Sequence, residues 1–337
     1  MLKTMGNSDS VKAYIDSKGV HFDNAEIFEK LKKTTISATL VEGMLSCPAK
    51  MVFNKFLADE VIPPTPDSPL TRGIAFHRAL ELYYGISVDK RGADKINTGI
   101  LSAAMRKAIS EAPEEVRDDN TFISWLKNAL NRYCQMKNDV INAQVATYVD
   151  NNGNDMLGLE MPVSGFIGNA KTRSFGMIDR LIVDENNKDA VIIDDYKSGA
   201  KAKEYDPNDR YADFGYVRQQ VMYAMLLEKK GFKVTEGRLI YPVAELQGSA
   251  RPGVVLKVDV NNEKFRKTTV SDVEKVSDML ISASDSNTYS CNPSPLCSWC
   301  PLVNICRQAM KPSKAKFVAA REAQPSEDKL SQVIVKQ

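Results

Sequence analysis

Hydrophobic and polar positions alternate most clearly between Ser174 and Gly199. The runs SFGMIDRLIVD and DAVIIDDYKSG are apolar and β-branched, and the polar ENNK lies between them. That pattern predicts a β-hairpin. Side chains alternate faces along a strand, so Met177, Asp179, Leu181 and Val183 share one face of the first strand. Val191, Ile193, Asp195 and Lys197 share one face of the second. With the loop centred near Asn187, Asp179 lies opposite Asp195, and Lys197 follows one side-chain step further along.

Elsewhere the period is mostly helical. TTISATLVEGMLSCPAKMVFNKF spaces Leu40, Met44, Val52 and Phe56 for a helix that Cys47-Pro48 breaks. Prolines 63, 64, 66 and 69 mark a loop, and Ser68-Pro69 opens a helix through SPLTRGIAFHRALELYYG. ILSAAMRKAI, FISWLKNALNRYCQM and VINAQVATYV predict a mostly helical insert over about 86–150. Pro113 and the acidic run 114–119 are read as a loop within it. LGLEMPVSGFIG, 157–168, predicts a strand leading to the hairpin. DFGYVRQQVMYAMLLEKKG predicts a helix that Gly231 stops. GRLIYPVAEL and VVLKVDV predict two more strands, and 263–283 a final helix. Residues 1–33 are charge-mixed and read as a peripheral segment. The Lys-rich tail 311–337 reads as flexible.

Composition changes this picture little. The chain has 337 residues, 43% of them hydrophobic and 26% charged, enough for a large core. A formal net charge of +2 provides no overall field for nucleic acid, so any basic surface must be local. No apolar run approaches a transmembrane length and no charged-then-apolar leader opens the chain, which predicts a cytosolic protein and no membrane partner.

The hairpin carries candidate chemistry. Two carboxylates about 5 Å apart repel by roughly 3 kcal/mol at an effective dielectric of 20. A cation between Asp179 and Asp195 would offset that, and oxygen-rich sites suit Mg²⁺ or Mn²⁺. Lys197 alone could serve instead. Glu160 is a third acidic candidate. His77 shares a helical face with Glu81, and Gln219 shares one with Tyr223. A second candidate centre is Cys297-x2-Cys300-x5-Cys306, with Cys291 near in sequence and Cys47 distant. Thiolates in such spacing suit Zn²⁺ or an iron–sulfur cluster, and spacing alone does not separate the two. Cys134 reads as packing.

These pieces together resemble the RecB-type branch of the PD-(D/E)XK nuclease superfamily. The likeness rests on Gly73-x-x-x-His77, Gly176-x-Ile178-Asp179-Arg180, Asp195-x-Lys197-Ser198-Gly199 and Gln219-x-x-x-Tyr223, in that order. With the flanking cysteines they span residues 37 to 306. No helicase P-loop accompanies them, so the resemblance is to a stand-alone nuclease.

The resemblance implies an α/β fold: a restriction-endonuclease-like core with a central mixed sheet flanked by helices, plus the helical insert and a C-terminal cysteine segment, 291–306. The nuclease domain would cover 34–310. His77, Asp179, Asp195 and the carbonyl of Tyr196, with Glu160 as a further candidate, would hold Mg²⁺ or Mn²⁺. Lys197 would be the catalytic lysine, and Gln219 and Tyr223 would orient it or a DNA phosphate. His77 would bind as a neutral imidazole. Cys47, Cys297, Cys300 and Cys306 would hold a [4Fe–4S] cluster, as in the AddB subunit and the nucleases of CRISPR adaptation; Cys291 falls outside that pattern. Arg72, Arg78, Lys201 and Lys203 would grip the DNA backbone.

The expected activity is a metal-dependent DNA exonuclease of recombination, repair or phage DNA processing, in a bacterial or phage-infected cell. Its substrate would be DNA that is single-stranded or has free ends, with a recombination or replication protein as partner. The alternatives are a structure-specific endonuclease, an RNA nuclease, or a catalytically idle DNA-binding subunit.

Overall fold

A computed structural model describes residues 3–5, 11–15, 19–23, 25–57, 64–91, 96–150, 152–202, 205, 214–245, 252–286, 288–292, 297, 300 and 302. The chain opens with β1 (Lys3–Met5), β2 (Val11–Ile15), β3 (Val20–Asp23), α1 (Ala25–Lys32), α2 (Ala38–Ser46) and α3 (Pro48–Val52). Then come α4 (Pro69–Tyr84), α5 (Val88–Arg91), α6 (Thr98–Glu111), α7 (Glu114–Arg117), α8 (Asn120–Tyr133) and α9 (Asn138–Ile141). Five strands follow: β4 (Thr147–Val149), β5 (Asp155–Leu157), β6 (Leu159–Gly165), β7 (Ser174–Asp184) and β8 (Asn187–Tyr196). The chain continues through α10 (Gly215–Glu228), β9 (Lys233–Tyr241), β10 (Val254–Val258), α11 (Glu263–Ser286) and β11 (Thr288–Tyr289).

Two compact units result, one of residues 62–165 and 175–269, the other of residues 1–61, 166–174 and 270–337. The first holds a mixed five-stranded sheet of order β10-β9-β8-β7-β6. β7 and β8 form the expected antiparallel hairpin, with Arg180 opposite Asp194 and Leu181 opposite Ile193. Continued by one residue, that register sets Asp179 opposite Asp195. β9 runs parallel to β8, and α10 makes the crossover between them.

Alternation along β8 separates two jobs. Tyr196 packs into the helical layer of α4, α6, α8 and α9, edge-on to Phe76 and Tyr133. Asp194 points the same way and meets Arg180 there. Asp195 and the following Lys197 point to the opposite side, where α10 packs. The sheet thus keeps its packing residues and its polar chemistry on different faces.

α4 forms as the sequence requires. Ser68 Oγ accepts the Thr71 N–H at 3.4 Å, and Pro69 occupies the first turn, where a missing N–H costs nothing. The insert departs from expectation in two places. The acidic run 114–119 contains the short helix α7, because Pro113 caps it and Val116 is buried. VINAQVATYV is not one helix: α9 ends at Ile141, and Thr147–Val149 pairs with β5 as a strand. The strand expected over 157–168 is interrupted at Gly158 and ends at Gly165.

The second unit contains an antiparallel sheet of order β1-β2-β3-β11. Residues 1–33, read as peripheral, supply three of its strands. Phe22 is buried between Phe53 and Tyr289. Cys47-Pro48 separates α2 from α3, as expected, because Cys47 is extended and Pro48 begins the next helix.

Candidate active site

Every residue below, apart from Cys47, Cys291, Cys297, Cys300 and their neighbours, belongs to the unit with the five-stranded sheet. α4 carries His77 to the end of the hairpin. Its Nδ1 lies 3.3 Å from Asp179 Oδ1 on β7, and its Nε2 lies 2.9 Å from the Tyr196 carbonyl on β8. The Tyr196 N–H donates to Asp179 Oδ2 at 2.7 Å. Helix and both strands are therefore joined at one point.

Glu160 joins them from β6. His77, Glu160 and Asp179 each offer one ligand atom, and these atoms lie within 4.8 Å of one another. Among the described residues no other set of three histidine, cysteine or acidic side chains does so. The backbone is shaped for this. Gly158 lies against β7 so closely that a Cβ would stand 2.7 Å from the Leu181 Cβ. Two residues on, Glu160 has φ 42°, a left-handed conformation that side-chain-bearing residues avoid.

Asp195 stands beside this trio rather than in it. The Lys197 ammonium is 2.5 Å from Asp195 Oδ2 and donates to Gln219 Oε1 at 2.9 Å. Gln219 Nε2 donates in turn to the Tyr223 hydroxyl at 3.0 Å. The ammonium also lies 4.3 Å from the centre of the Tyr216 ring. α10 thus presents Tyr216, Gln219 and Tyr223 to one lysine. Gly176 makes room for this: a Cβ there would fall 2.2 Å from the Tyr223 ring.

The crowding of carboxylates shows in the protons. Burial, then Asp179, raises Glu160 to about 7. Burial raises Asp195 to about 6, with Lys197 opposing and Asp179 adding to the rise. Burial lowers His77, but Asp179 and then Asp195 and Glu160 outweigh it, and the imidazole rises to about 9. The neighbouring carboxylates thus favour the protonated ring; the neutral imidazole expected from the sequence is that of a metal ligand, and a bound cation would oppose this rise. Burial likewise works against the Lys197 charge, and Asp195 more than restores it.

The basic residues expected to grip DNA fare unequally. Arg78 is engaged by carboxylates: Nε donates to Glu111 and Nη1 to Glu81, each at 2.7 Å. Arg72 donates to the Pro66 carbonyl at 2.8 Å and lies over the Trp125 ring. Lys201 is exposed, and Lys203 lies outside the described residues. Arg180, whose motif neighbour Asp179 drew attention to it, is wholly buried and serves packing. Asp194 accepts from its Nε at 2.9 Å and from Arg238 Nε at 2.6 Å, while Arg180 Nη2 donates to the Val140 carbonyl.

Cys47, Cys291, Cys297 and Cys300 lie in the other unit. Ala49 N donates to Ser290 O at 3.3 Å and Asn292 Nδ2 to Leu45 O at 3.4 Å, which brings Cys291 to Cys47. A hydrogen bond with Cys291, and then burial, pushes the Cys47 thiol up. Burial raises Cys300, with smaller contributions from Cys47 and Cys297. Cys291, outside the motif spacing, is thus a neighbour of Cys47, and Cys306 lies outside the described residues. Cys134 packs against the helical core, as expected.

A family model described as the PD-(D/E)XK nuclease superfamily matches residues 35–307. No curated protein sequence matches the chain. Among solved structures, a "Putative exonuclease" from Eubacterium rectale is similar, with 9% identity and a TM-score of 0.47 over 86% of this chain and 93% of that one. The structure of SSO0001 is similar with 12% identity and a TM-score of 0.33 over 85% of this chain and 96% of that one.

Proposed function

Since the chain belongs to the PD-(D/E)XK nuclease superfamily, we propose that it is a divalent-metal-dependent DNA exonuclease of recombination, repair or phage DNA processing. The observation that carries this reading is the Lys197 ammonium, held between Asp195 and Gln219 beside the His77, Glu160 and Asp179 trio. Two carboxylates, an imidazole and the nearby Tyr196 carbonyl are a donor set that fits Mg²⁺ or Mn²⁺, with Asp195 as a further ligand. Such an ion, when bound, polarises a phosphoryl oxygen and acidifies a water enough to yield hydroxide near neutral pH.

The chain's own residues supply the rest. Lys197 would place a fixed positive charge beside the phosphoryl oxygens that carry the negative charge during attack. Gln219 and Tyr223 hold that ammonium in position, and Asp195 keeps it protonated. The Asp179 bond to the Tyr196 N–H fixes the Tyr196 carbonyl toward His77.

The proposal extends to Cys47, Cys297, Cys300 and Cys306 as ligands of a [4Fe–4S] cluster, with zinc as the alternative. Cys300 feels both Cys47 and Cys297, so three of these thiols are neighbours. Thiolates suit either group. The visible charge-transfer absorption of anaerobically purified protein, with metal analysis, separates iron from zinc.

The test of activity is a Mn²⁺-dependent digest of end-labelled single- and double-stranded DNA, with circular DNA as the control for internal cleavage. Lys197→Ala should abolish cleavage and leave DNA binding intact. Equal, background-level cleavage by both proteins would mean an idle binding subunit, and cutting of circles would mean an endonuclease.

A further inference from the structure

Beside the metal-ligand trio, α4 turns an apolar face to solvent. Leu70 is 72% exposed and Ile74 62% exposed, the first and third largest values among the exposed large hydrophobic side chains of the described residues. They are four residues apart, so they stack on one side of the helix, and His77 is less than one turn beyond Ile74. The three line one groove of about 560 Å³ with Pro69, Gly73, Arg78, Glu81 and Glu160. The floor at one end is thus the candidate metal site, and the wall beside it is aliphatic.

The charges of this wall decide what it can take. Its one arginine among the described residues, Arg78, is engaged by Glu81 and Glu111, and it has no lysine among them. Its remaining ionisable groups, other than His77, are the acids Glu81 and Glu160. A phosphate backbone gains nothing along such a surface, because it needs free lysine or arginine. A nucleobase does gain, since its flat face is apolar and sheds water onto Leu70 and Ile74.

We infer that Leu70 and Ile74 form a base-holding subsite for the nucleotide whose phosphate lies at the His77, Glu160 and Asp179 trio, so that the substrate is an unpaired strand or a frayed end. Inside a duplex both faces of a base are stacked and its phosphate cannot reach the trio with the base splayed onto α4. The subsite therefore selects unpaired nucleotides without reading their sequence. This inference rests on the nuclease reading above.

The test uses the full-length protein with Mn²⁺ and single-stranded oligonucleotides carrying either a normal or an abasic nucleotide at the cleaved position. For the unaltered protein, removing the base should raise KM about tenfold, the scale of withdrawing ~60 Å² of apolar surface from water. In the double variant Leu70→Ala/Ile74→Ala, KM on the normal strand should rise by a similar factor, and removing the base should cost nothing more. Both side chains are exposed, so the melting temperature should not change. The abasic comparison in the unaltered protein stands even if the variant folds poorly. Equal KM for normal and abasic strands, or a base effect that persists in the double variant, overturns the subsite and leaves the nuclease reading intact; the exposed face would then suit a protein partner. Absence of cleavage on every strand overturns both.

Discussion

Asp179 accepts the backbone N–H of Tyr196 at 2.7 Å while its other oxygen faces His77 at 3.3 Å. One carboxylate therefore does structural work on β8 and electrostatic work on α4. Asp179→Asn separates the two. An amide oxygen can still accept the Tyr196 N–H, so the hairpin should keep its register. The lost negative charge should weaken Mn²⁺ binding by at least the ~10–100-fold seen for lost supporting groups at metal sites. Calorimetric titration with Mn²⁺ should show that loss, with the melting temperature of the metal-free protein unchanged or slightly raised. Unaltered Mn²⁺ affinity would remove Asp179 from the ligand set.

Asp184, at the other end of β7, gives a pH-dependent contribution. The Thr235 hydroxyl donates to its Oδ2 at 2.7 Å and the Asn186 N–H to its Oδ1 at 2.9 Å. The Thr235 bond first, and Asn186 after burial is overcome, hold its carboxyl below the usual range. A depressed folded value means stability that is present above the unfolded value of about 3.9 and lost as pH falls through the folded one. Thr235→Val removes the main donor at nearly constant volume. The variant should melt below the parent near neutral pH, and the gap should narrow under acid conditions where both carboxyls are protonated. A gap that stays constant across that range would assign the loss to packing.

The buried charges around Arg180 predict the largest stability effect. Asp194 receives Arg180 and Arg238 together, and Arg238 Nη1 and Arg180 Nη2 go on to the carbonyls of Asp139 and Val140. Asp194→Ala leaves two guanidinium groups buried without their shared carboxylate. Removing one partner of a buried pair costs about 3–5 kcal/mol. Urea unfolding should show that loss, and the folded fraction should retain the parent's Mn²⁺ affinity, because Asp194 faces away from Asp195.

That last point explains what the sequence could and could not show. The hairpin, its register and the α4 and α10 helices were legible because each is written in local periodicity and end signals: Ser68-Pro69, the Asn-rich turn, Gly231. Asp179, Asp195, Lys197, Gln219 and Tyr223 were found through those elements. The opposite face of β8 follows from the same alternation, but the pairing of Asp194 with Arg180 on it has no local signature. Arg238 lies 44 residues from Asp194 and the Val140 carbonyl 40 residues from Arg180, so neither contact leaves a local mark. The strands within residues 1–33 failed for a similar reason. They have three to five residues each, and one partner, β11, comes from the far end of the chain. The engagement of Arg78 by Glu111 needed the fold of the insert, and the closeness of Cys291 to Cys47 needed the pairing of residues 45–49 with 290–292.

Glu160 stands outside the hairpin that carries the other two acids, and its backbone makes its role testable. A left-handed φ of 42° costs a side-chain-bearing residue roughly 1–2 kcal/mol, and glycine is exempt. The site adds a second cost, since burial and Asp179 push the carboxyl up to about 7. Both costs vanish in Glu160→Gly, against which glycine's greater freedom when unfolded counts by up to ~1 kcal/mol. The variant should therefore be as stable as the parent or more so near neutral pH, while its Mn²⁺ affinity and cleavage rate fall. A residue that weakens the fold and is retained for the ion gives that opposition; one kept for packing would lose stability on removal. Thermal melting in the absence of metal, set beside Mn²⁺ titration of the same two proteins, distinguishes them.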